Sequence, residues 1–246
     1  MHPILFHLGP VTIYSYGALF ALAILAAAAV SAREARLRGI RPELVTDLIF
    51  WVVLGGLVGA RALYVLTNIE CYRNAPLEIL MLQRGGLVFY GGFFGGSAAG
   101  LWYARRKRLP LARCADVLVP GVALAHAIGR LGCFLNGCCY GRPTSVFWGV
   151  SFPHGNGPVH PTQLYEAGAL LLLFAVLRAR ARRAAFDGEV AVWYLLLYGL
   201  IRFLIEFLRG DSPPVIGGLT LSQVISGCLL TVTAVVYRFL CHRHRS

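Results

Sequence analysis

Seven stretches of the chain are apolar over roughly the length that crosses a bilayer, and polar connectors separate them. They cover residues 11–30, 44–66, 85–103, 113–131, 163–180, 189–208 and 219–240. At ~20 residues per ~30 Å of hydrocarbon, each predicts one membrane-spanning helix. Backbone groups find no partner in lipid, so helices are the expected form. A β-barrel would need apolar and polar residues to alternate with period two, and the stretches show no such alternation. The pattern predicts an all-α polytopic membrane protein, with one domain of seven transmembrane helices over residues 1–246.

Composition agrees. Hydrophobic residues make up 57% and charged residues 14%, with a mean hydropathy of +0.66. Soluble domains run near ~45–50% and ~25%. These values exclude intrinsic disorder, a disulfide mini-scaffold and an ordinary soluble enzyme. A net charge of +12 raises the question of nucleic acid, but the location of the charge answers it. All the basic residues except Lys107 are arginines, and most cluster in short connectors between apolar runs. No nucleic-acid partner is expected.

The connectors alternate in charge. Arg33, Arg36, Arg38 and Arg41 follow the first stretch; Arg105, Arg106, Lys107, Arg108 and Arg113 follow the third. Arg178, Arg180, Arg182 and Arg183 follow the fifth, and the tail holds Arg238, Arg243 and Arg245. The opposite connectors hold only Arg73, Arg84, Arg142 and Arg209. The positive-inside rule then puts the N-terminus outside and the C-terminus in the cytoplasm. The first stretch ends Ala29-Val30-Ser31-Ala32, like a signal-peptidase site, but residues 1–10 carry no Lys or Arg. It is expected to stay as a span. The longest polar connector, 132–162, faces outside and carries six glycines from Gly132 to Gly157. A loop of that length is expected to be functional. Gly92, Gly96 and Gly100, with Gly55 and Gly59, let helices approach closely. Gly85-Gly86 and Gly91-Gly92 flank the outer entrance of the third stretch, where they are expected to shape backbone near a site.

Ionisable groups inside spans are costly and are functional candidates by default. Here they are Arg61, Asp116, His126, Arg130, Glu166, Arg202 and Glu206. The predicted orientation sets Arg61, Arg130, Arg202 and Glu206 in the outer half, and Tyr16, Tyr90 and Glu166 near the outer ends of their spans. Asp116 lies at the cytoplasmic start of the fourth span and reads as a helix-start or interface residue. On a helical wheel Tyr198, Arg202, Glu206 and Arg209 fall within about 80° of arc. His126, Arg130 and Cys133 fall within about 60°. Two helices therefore each carry an arginine-bearing stripe at similar depth.

One reading is structural: Arg202–Glu206 is an i,i+4 pair, and Arg130 pairs with Glu166. The other is anion binding, because Arg61, Arg130, Arg202 and Arg209 outnumber Glu166 and Glu206. Guanidinium forks match phosphate oxygens, and a phospholipid headgroup is the anion always present at that depth. His126 reads equally as a base or as a packing histidine. Tyr14 and Tyr64 suit an interfacial belt.

Of the seven cysteines, Cys71, Cys133, Cys138 and Cys139 face outside, and Cys114, Cys228 and Cys241 do not. Two bridges are arithmetically allowed among the outer four, but the connectivity cannot be read. Cys133, Cys138 and Cys139 with His126 or His154 can be drawn as a zinc set, but the spacing fits no usual zinc pattern, and no metal or cofactor is expected.

The run Gly129-Arg130-Leu131-Gly132-Cys133-Phe134-Leu135-Asn136-Gly137, ending Tyr140-Gly141-Arg142-Pro143, resembles the signature of bacterial prolipoprotein diacylglyceryl transferases. The resemblance runs the whole length. It takes in Tyr16-Gly17, Gly59-Ala60-Arg61 with Tyr64, and Arg84-Gly85-Gly86-Leu87 to Gly91-Gly92. It continues through His160-Pro161-Thr162-Gln163-Leu164-Tyr165-Glu166, Tyr198-Gly199 with Arg202-Phe203 and Glu206-Phe207, and Leu221-Ser222-Gln223.

That resemblance implies a transferase of the bacterial inner membrane with its active site towards the extracytoplasmic leaflet. It implies that a diacylglyceryl group moves from phosphatidylglycerol to the lipobox cysteine thiol of a prolipoprotein. A thioether forms and glycerol phosphate leaves. The thiol has a pKa near ~8.5, so a base or a positive field would help it react. The resemblance implies catalytic roles for Arg130, Arg202 and Glu206, and leaves the base open: Tyr90 hydrogen-bonds the thiol, His126 takes the role, or the arginine field suffices. It implies substrate contacts from Arg130, Tyr16, Arg61, Asn136, Gly141, Glu166, Tyr198 and Arg209. Two departures stand out. Tyr90 occupies a position where many members carry His, and Cys133 and Cys138 stand where members often carry Asn and Glu. A paralogue with an altered donor or acceptor is the alternative within the family. Outside it, an anion or lipid transporter would need pseudo-symmetric halves and broken midplane helices, and the sequence offers neither. A thiol–disulfide enzyme would depend on Cys138-Cys139.

Overall fold

The structure is a computed structural model that describes residues 4–8, 11–73, 76–81, 85–153, 157–210 and 213–245. Its helices are α1 (Ser15–Leu37), α2 (Pro42–Thr67), the single-turn α3 (Ile69–Tyr72), α4 (Phe89–Arg106), α5 (Leu111–Asn136), α6 (Thr162–Ala181), α7 (Glu189–Glu206) and α8 (Leu221–Arg245). A 3-10 turn at Pro76–Leu80 lies between α3 and α4. Three antiparallel hairpins complete it: β1 (Ile4–Leu8) with β2 (Val11–Tyr14), β3 (Val150–Ser151) with β4 (Pro158–Val159), and β5 (Pro214–Ile216) with β6 (Leu219–Thr220). The four-residue α3 aside, each helix falls on one of the predicted apolar stretches. Among the described residues, four helices are long and apolar enough to cross a membrane: α1, α2, α5 and the Leu221–His242 part of α8. Between 11% and 33% of their apolar windows is buried. The remaining apolar surface is what a lipid-facing helix presents.

Some boundaries differ from the sequence expectation, each for a local reason. The first helix starts at Ser15 rather than 11, because β-branched Val11, Thr12 and Ile13 pair with β1 instead. The third long helix starts at Phe89 rather than 85. Gly85 and Gly86 both have φ +78°, which a right-handed helix cannot use. The fourth runs on to Asn136 and stops at Gly137, φ +74°, where Cys138 N–H bonds back to Cys133 C=O at 3.1 Å. That is a Schellman stop. Arg84 and His154 lie outside the described residues.

The chain divides into two units, Met1–Glu34 with Ala115–Ser246, and Ala35–Cys114. In the second, α2 and α4 pack along facing glycines. A Cβ on Gly55 would sit 2.5 Å from Ala99 Cβ and 2.7 Å from Gly95 C=O. The small residues are therefore the packing surface itself.

In the first unit α7 lies between α6 and α8. Ala123 and Ala127 of α5, Leu170, Leu173 and Leu177 of α6, and Val190 of α7 form its core. Polar groups at one end of these helices close it. Asp116, fully buried, accepts hydrogen bonds from Gly188 N–H at 2.8 Å and Ala191 N–H at 2.9 Å. It caps the N-terminus of α7 from a neighbouring helix, where α7 has no side-chain cap of its own. Arg178 pairs with Glu34 at 3.1 Å and Arg180 with Glu189 at 3.3 Å. Asp116→Ala strands two buried donors and is expected to cost about 2–4 kcal/mol. A lower thermal unfolding midpoint in detergent checks it, with Asp116→Asn expected to recover part of the loss.

Candidate functional site

The opposite ends of α5, α6 and α7 carry the other buried charges of this unit. Arg130 sits in the last two turns of α5, and Glu166 sits in the second turn of α6. They meet at 2.9 Å between Nη2 and Oε1, with Glu166 2% exposed. His126, one turn before Arg130, brings Nε2 to 3.6 Å from the same Glu166 oxygen. Its ring lies 5.2 Å from that of Tyr198 on α7, and Tyr198 stacks on Tyr194. One turn beyond Tyr198, Arg202 Nη2 lies 2.8 Å from Glu206 Oε2. Arg209 Nε approaches the same oxygen at 4.0 Å. Both pairs expected from spacing and depth are therefore present.

Two groups on the start of α8 complete this corner. Ser222 Oγ accepts from Arg202 Nη2 at 3.3 Å, and Thr220 Oγ1 donates to Glu206 Oε1 at 2.9 Å. Sequence reading did not single out Thr220, but a signal was there. Thr220-Leu221-Ser222-Gln223 is a capping box, in which Gln223 N–H donates to Thr220 Oγ1 and Thr220 N–H to Gln223 Oε1.

The arginines differ in how their donors are used. Arg130 Nε and Arg202 Nη1 are buried and meet no hydrogen-bond acceptor among the described residues. Buried guanidinium N–H groups are normally satisfied, so these two are open to an acceptor that enters the site, although Arg180 Nε at the other end of the unit is orphaned in the same way. Arg61 is the reverse. It belongs to the second unit and is 7% exposed. It donates to the carbonyls of Glu78 at 2.7 Å, Ile79 at 2.8 Å, Gly85 at 2.7 Å, Gly86 at 3.2 Å and Met81 at 3.5 Å. Tyr64 and Tyr72 rings flank its guanidinium, each at 5.6 Å. Counting it among surplus anion-binding arginines is therefore corrected: it holds the turn before α4. Without it, Arg130, Arg202 and Arg209 still outnumber Glu166 and Glu206 by one. Arg61→Met is expected to cost about 3 kcal/mol or more through orphaned carbonyls. The check is a lower unfolding midpoint, with proteolysis concentrated at 76–88.

The loop after α5 is pinned beside the site. Gly141 N–H donates to His160 C=O at 2.8 Å, and Arg142 N–H to Leu208 C=O at 2.9 Å. A Cβ on Gly141 would lie 2.5 Å from Leu208 C=O, so this position admits only glycine. Its role is a tight backbone crossing. Tyr16, in the first turn of α1, is half-exposed, and its ring packs on Gly132. Asn136 is exposed at the end of α5. Tyr90 lies in the second unit, exposed in the first turn of α4 beside Phe89. The structure thus brings together His126, Arg130, Glu166, Tyr198, Arg202, Glu206 and Arg209 within the first unit.

Cys133, Cys138 and Cys139 form a third group, with sulfurs within 4.8 Å of one another. The hydrogen bond from Cys133, aided by Cys138, Arg209 and Arg130, outweighs burial and lowers the Cys139 thiol below its usual range. Among the described residues no cysteine is bridged.

The profile of the family described as prolipoprotein diacylglyceryl transferase matches residues 3–239. The phosphatidylglycerol–prolipoprotein diacylglyceryl transferase of Clostridium tetani is 37% identical, over 100% of this chain and 99% of its own length. The enzyme of the same name from Synechococcus elongatus is 38% identical over 91% of this chain and 82% of its own. That of Geobacter sulfurreducens is 39% identical over 84% and 82%.

Proposed function

The chain belongs to the prolipoprotein diacylglyceryl transferase family, and from that premise we propose how its buried arginines carry out the transfer. It is a multi-pass membrane enzyme that moves the diacylglyceryl group of phosphatidylglycerol to a prolipoprotein. The finer reading has seven spans in one domain, the N-terminus outside, and the site at the extracytoplasmic leaflet of the inner membrane. Alternating connector charge supports that orientation. The acceptor is the lipobox cysteine thiol, and the nucleophile is its sulfur.

The observation that carries the site assignment is the pair of unspent buried donors, Arg130 Nε and Arg202 Nη1. As the sulfur attacks the glyceryl carbon, the C–O bond to phosphate breaks and the phosphate passes from one negative charge towards two. Donors already fixed where that charge grows lower the barrier without reorganising. Glu166 fixes Arg130, and Glu206, held by Thr220, fixes Arg202. Tyr198 and Tyr16 contribute hydroxyls for headgroup oxygens, and Asn136 and Arg209 border the site. His126 is the candidate proton acceptor within this unit. Tyr90 is the candidate on the other.

The test uses purified protein in phosphatidylglycerol vesicles with a synthetic lipobox peptide. Mass spectrometry should show a gain of one diacylglyceryl unit. A peptide with Ser in place of the lipobox Cys should gain nothing. A gain on the Ser peptide, or none on either, overturns the thiol acceptor.

A further inference from the structure

We propose that Cys133, Cys138 and Cys139 form a three-thiolate zinc site whose fourth position receives the acceptor thiol. This rests on the transferase reading above. The cysteine spacing matches no usual zinc pattern, which is why sequence alone predicted no metal. The fold overrides the spacing. The Schellman stop at Gly137 turns the chain back, so that Cys138 and Cys139 return to the last turn of α5, where Cys133 points.

The three sulfurs lie within 4.8 Å of one another. Three sulfurs on one tetrahedral zinc, at about 2.3 Å each, stand about 3.8 Å apart. The set needs to close by no more than about 1 Å to take the ion. The backbone that carries them is already held. Cys139 has φ +65°, a conformation uncommon for a side-chain-bearing residue, and it aims this sulfur at the other two. The carbonyl of Cys138 accepts from Gln163 Nε2 at 2.7 Å, and that of Cys139 from Thr162 Oγ1 at 2.9 Å. Gln163 and Thr162 are 1% and 2% exposed. Buried polar groups that fix ligand-bearing backbone are the support a metal site requires.

The chemistry of the donor set selects the ion. Three thiolates with no carboxylate or imidazole suit a thiophilic metal, and a zinc site with three protein ligands keeps an open fourth position. Arg130 and Arg209 lie within electrostatic reach of Cys139 and offset the negative charge of three thiolates. The same arginines border the phosphate position.

This placement bears on the reaction. The three cysteines bind zinc as thiolates, and any thiol protons they still hold go to solvent. The acceptor thiol displaces a water and releases its proton to solvent, so it is already a thiolate when it attacks. Its sulfur then forms the S–C bond to the glyceryl carbon. The C–O bond breaks, and the electron pair leaves on glycerol phosphate. No histidine is needed at position 90, where this chain has Tyr.

Cobalt substitution in the detergent-purified full-length protein tests this, because Co(II) reports its own ligands. One cobalt per chain, with a thiolate-to-metal charge-transfer band and the visible bands of a tetrahedral site, is expected. The bands should be lost in Cys139→Ser and kept in a variant with Cys71, Cys114, Cys228 and Cys241 changed to Ser. Adding a lipobox peptide should shift the band, and adding its Ser counterpart should not. The absence of a band, a band the peptide leaves unchanged, or a mass of the purified protein showing a disulfide among the three overturns the proposal. Diacylglyceryl transfer by metal-stripped protein at the untreated rate also overturns it, and leaves the transferase reading standing. Loss of transfer with a phosphatidylglycerol donor under every condition counts against that reading instead.

Discussion

Arg130→Ala is expected to lower diacylglyceryl transfer by about 10²–10³-fold, the size seen when one fixed donor to a developing anion is removed. Arg130 contributes a guanidinium fork whose Nε meets no acceptor among the described residues. Lysine at this position keeps the charge but loses the fork, so Arg130→Lys should recover only part of the rate. The substitution has a second consequence that must be separated from the first. Glu166 is 2% exposed, and removing its partner leaves a buried carboxylate uncompensated. Such a loss costs about 3–5 kcal/mol. Adding Glu166→Gln to Arg130→Ala should therefore return most of the stability and none of the activity. Thermal unfolding in detergent measures the first, and peptide mass gain measures the second.

Gly59→Leu is expected to prevent folding of the 35–114 unit. A Cβ on Gly59 would fall on the Gly91 carbonyl and 2.9 Å from Gly95 Cα. Both are backbone atoms of α4, which cannot swing aside as a side chain would. Overpacking usually costs about 1–3 kcal/mol, and a full leucine against backbone belongs beyond that range. Gly92→Ala is the matched control. Its nearest neighbours are Gly56 C=O at 3.4 Å and Ala60 Cβ at 3.5 Å, ordinary contacts. Size-exclusion profiles should show Gly92→Ala as a single sharp peak and Gly59→Leu as aggregate.

The sequence carried the helical architecture because bilayer thickness sets one length and lipid permits one backbone solution. It carried Arg202–Glu206 because four-residue spacing on a helix is a contact. Arg130–Glu166 spans two helices, and only matching their depth in the membrane pointed to it. Ends of elements were less legible. Gly85-Gly86 read as part of an apolar run until their left-handed conformation set the start of α4. Arg61 looked like its neighbours in composition, and only the fold shows its donors spent on five carbonyls. Asp116 caps α7 across 72 residues of chain, a pairing no local pattern encodes. The three cysteines meet through a turn that reverses direction within two residues, a proximity their spacing does not encode.

The most direct measurement follows both products together in phosphatidylglycerol vesicles, for the wild type and for the refolded-stable Arg130→Ala, Glu166→Gln pair. The account predicts one glycerol phosphate released per thioether peptide formed by the wild type, and loss of both products together in the pair. A pair that transfers at the wild-type rate would contradict the assignment of the buried arginines to the departing phosphate.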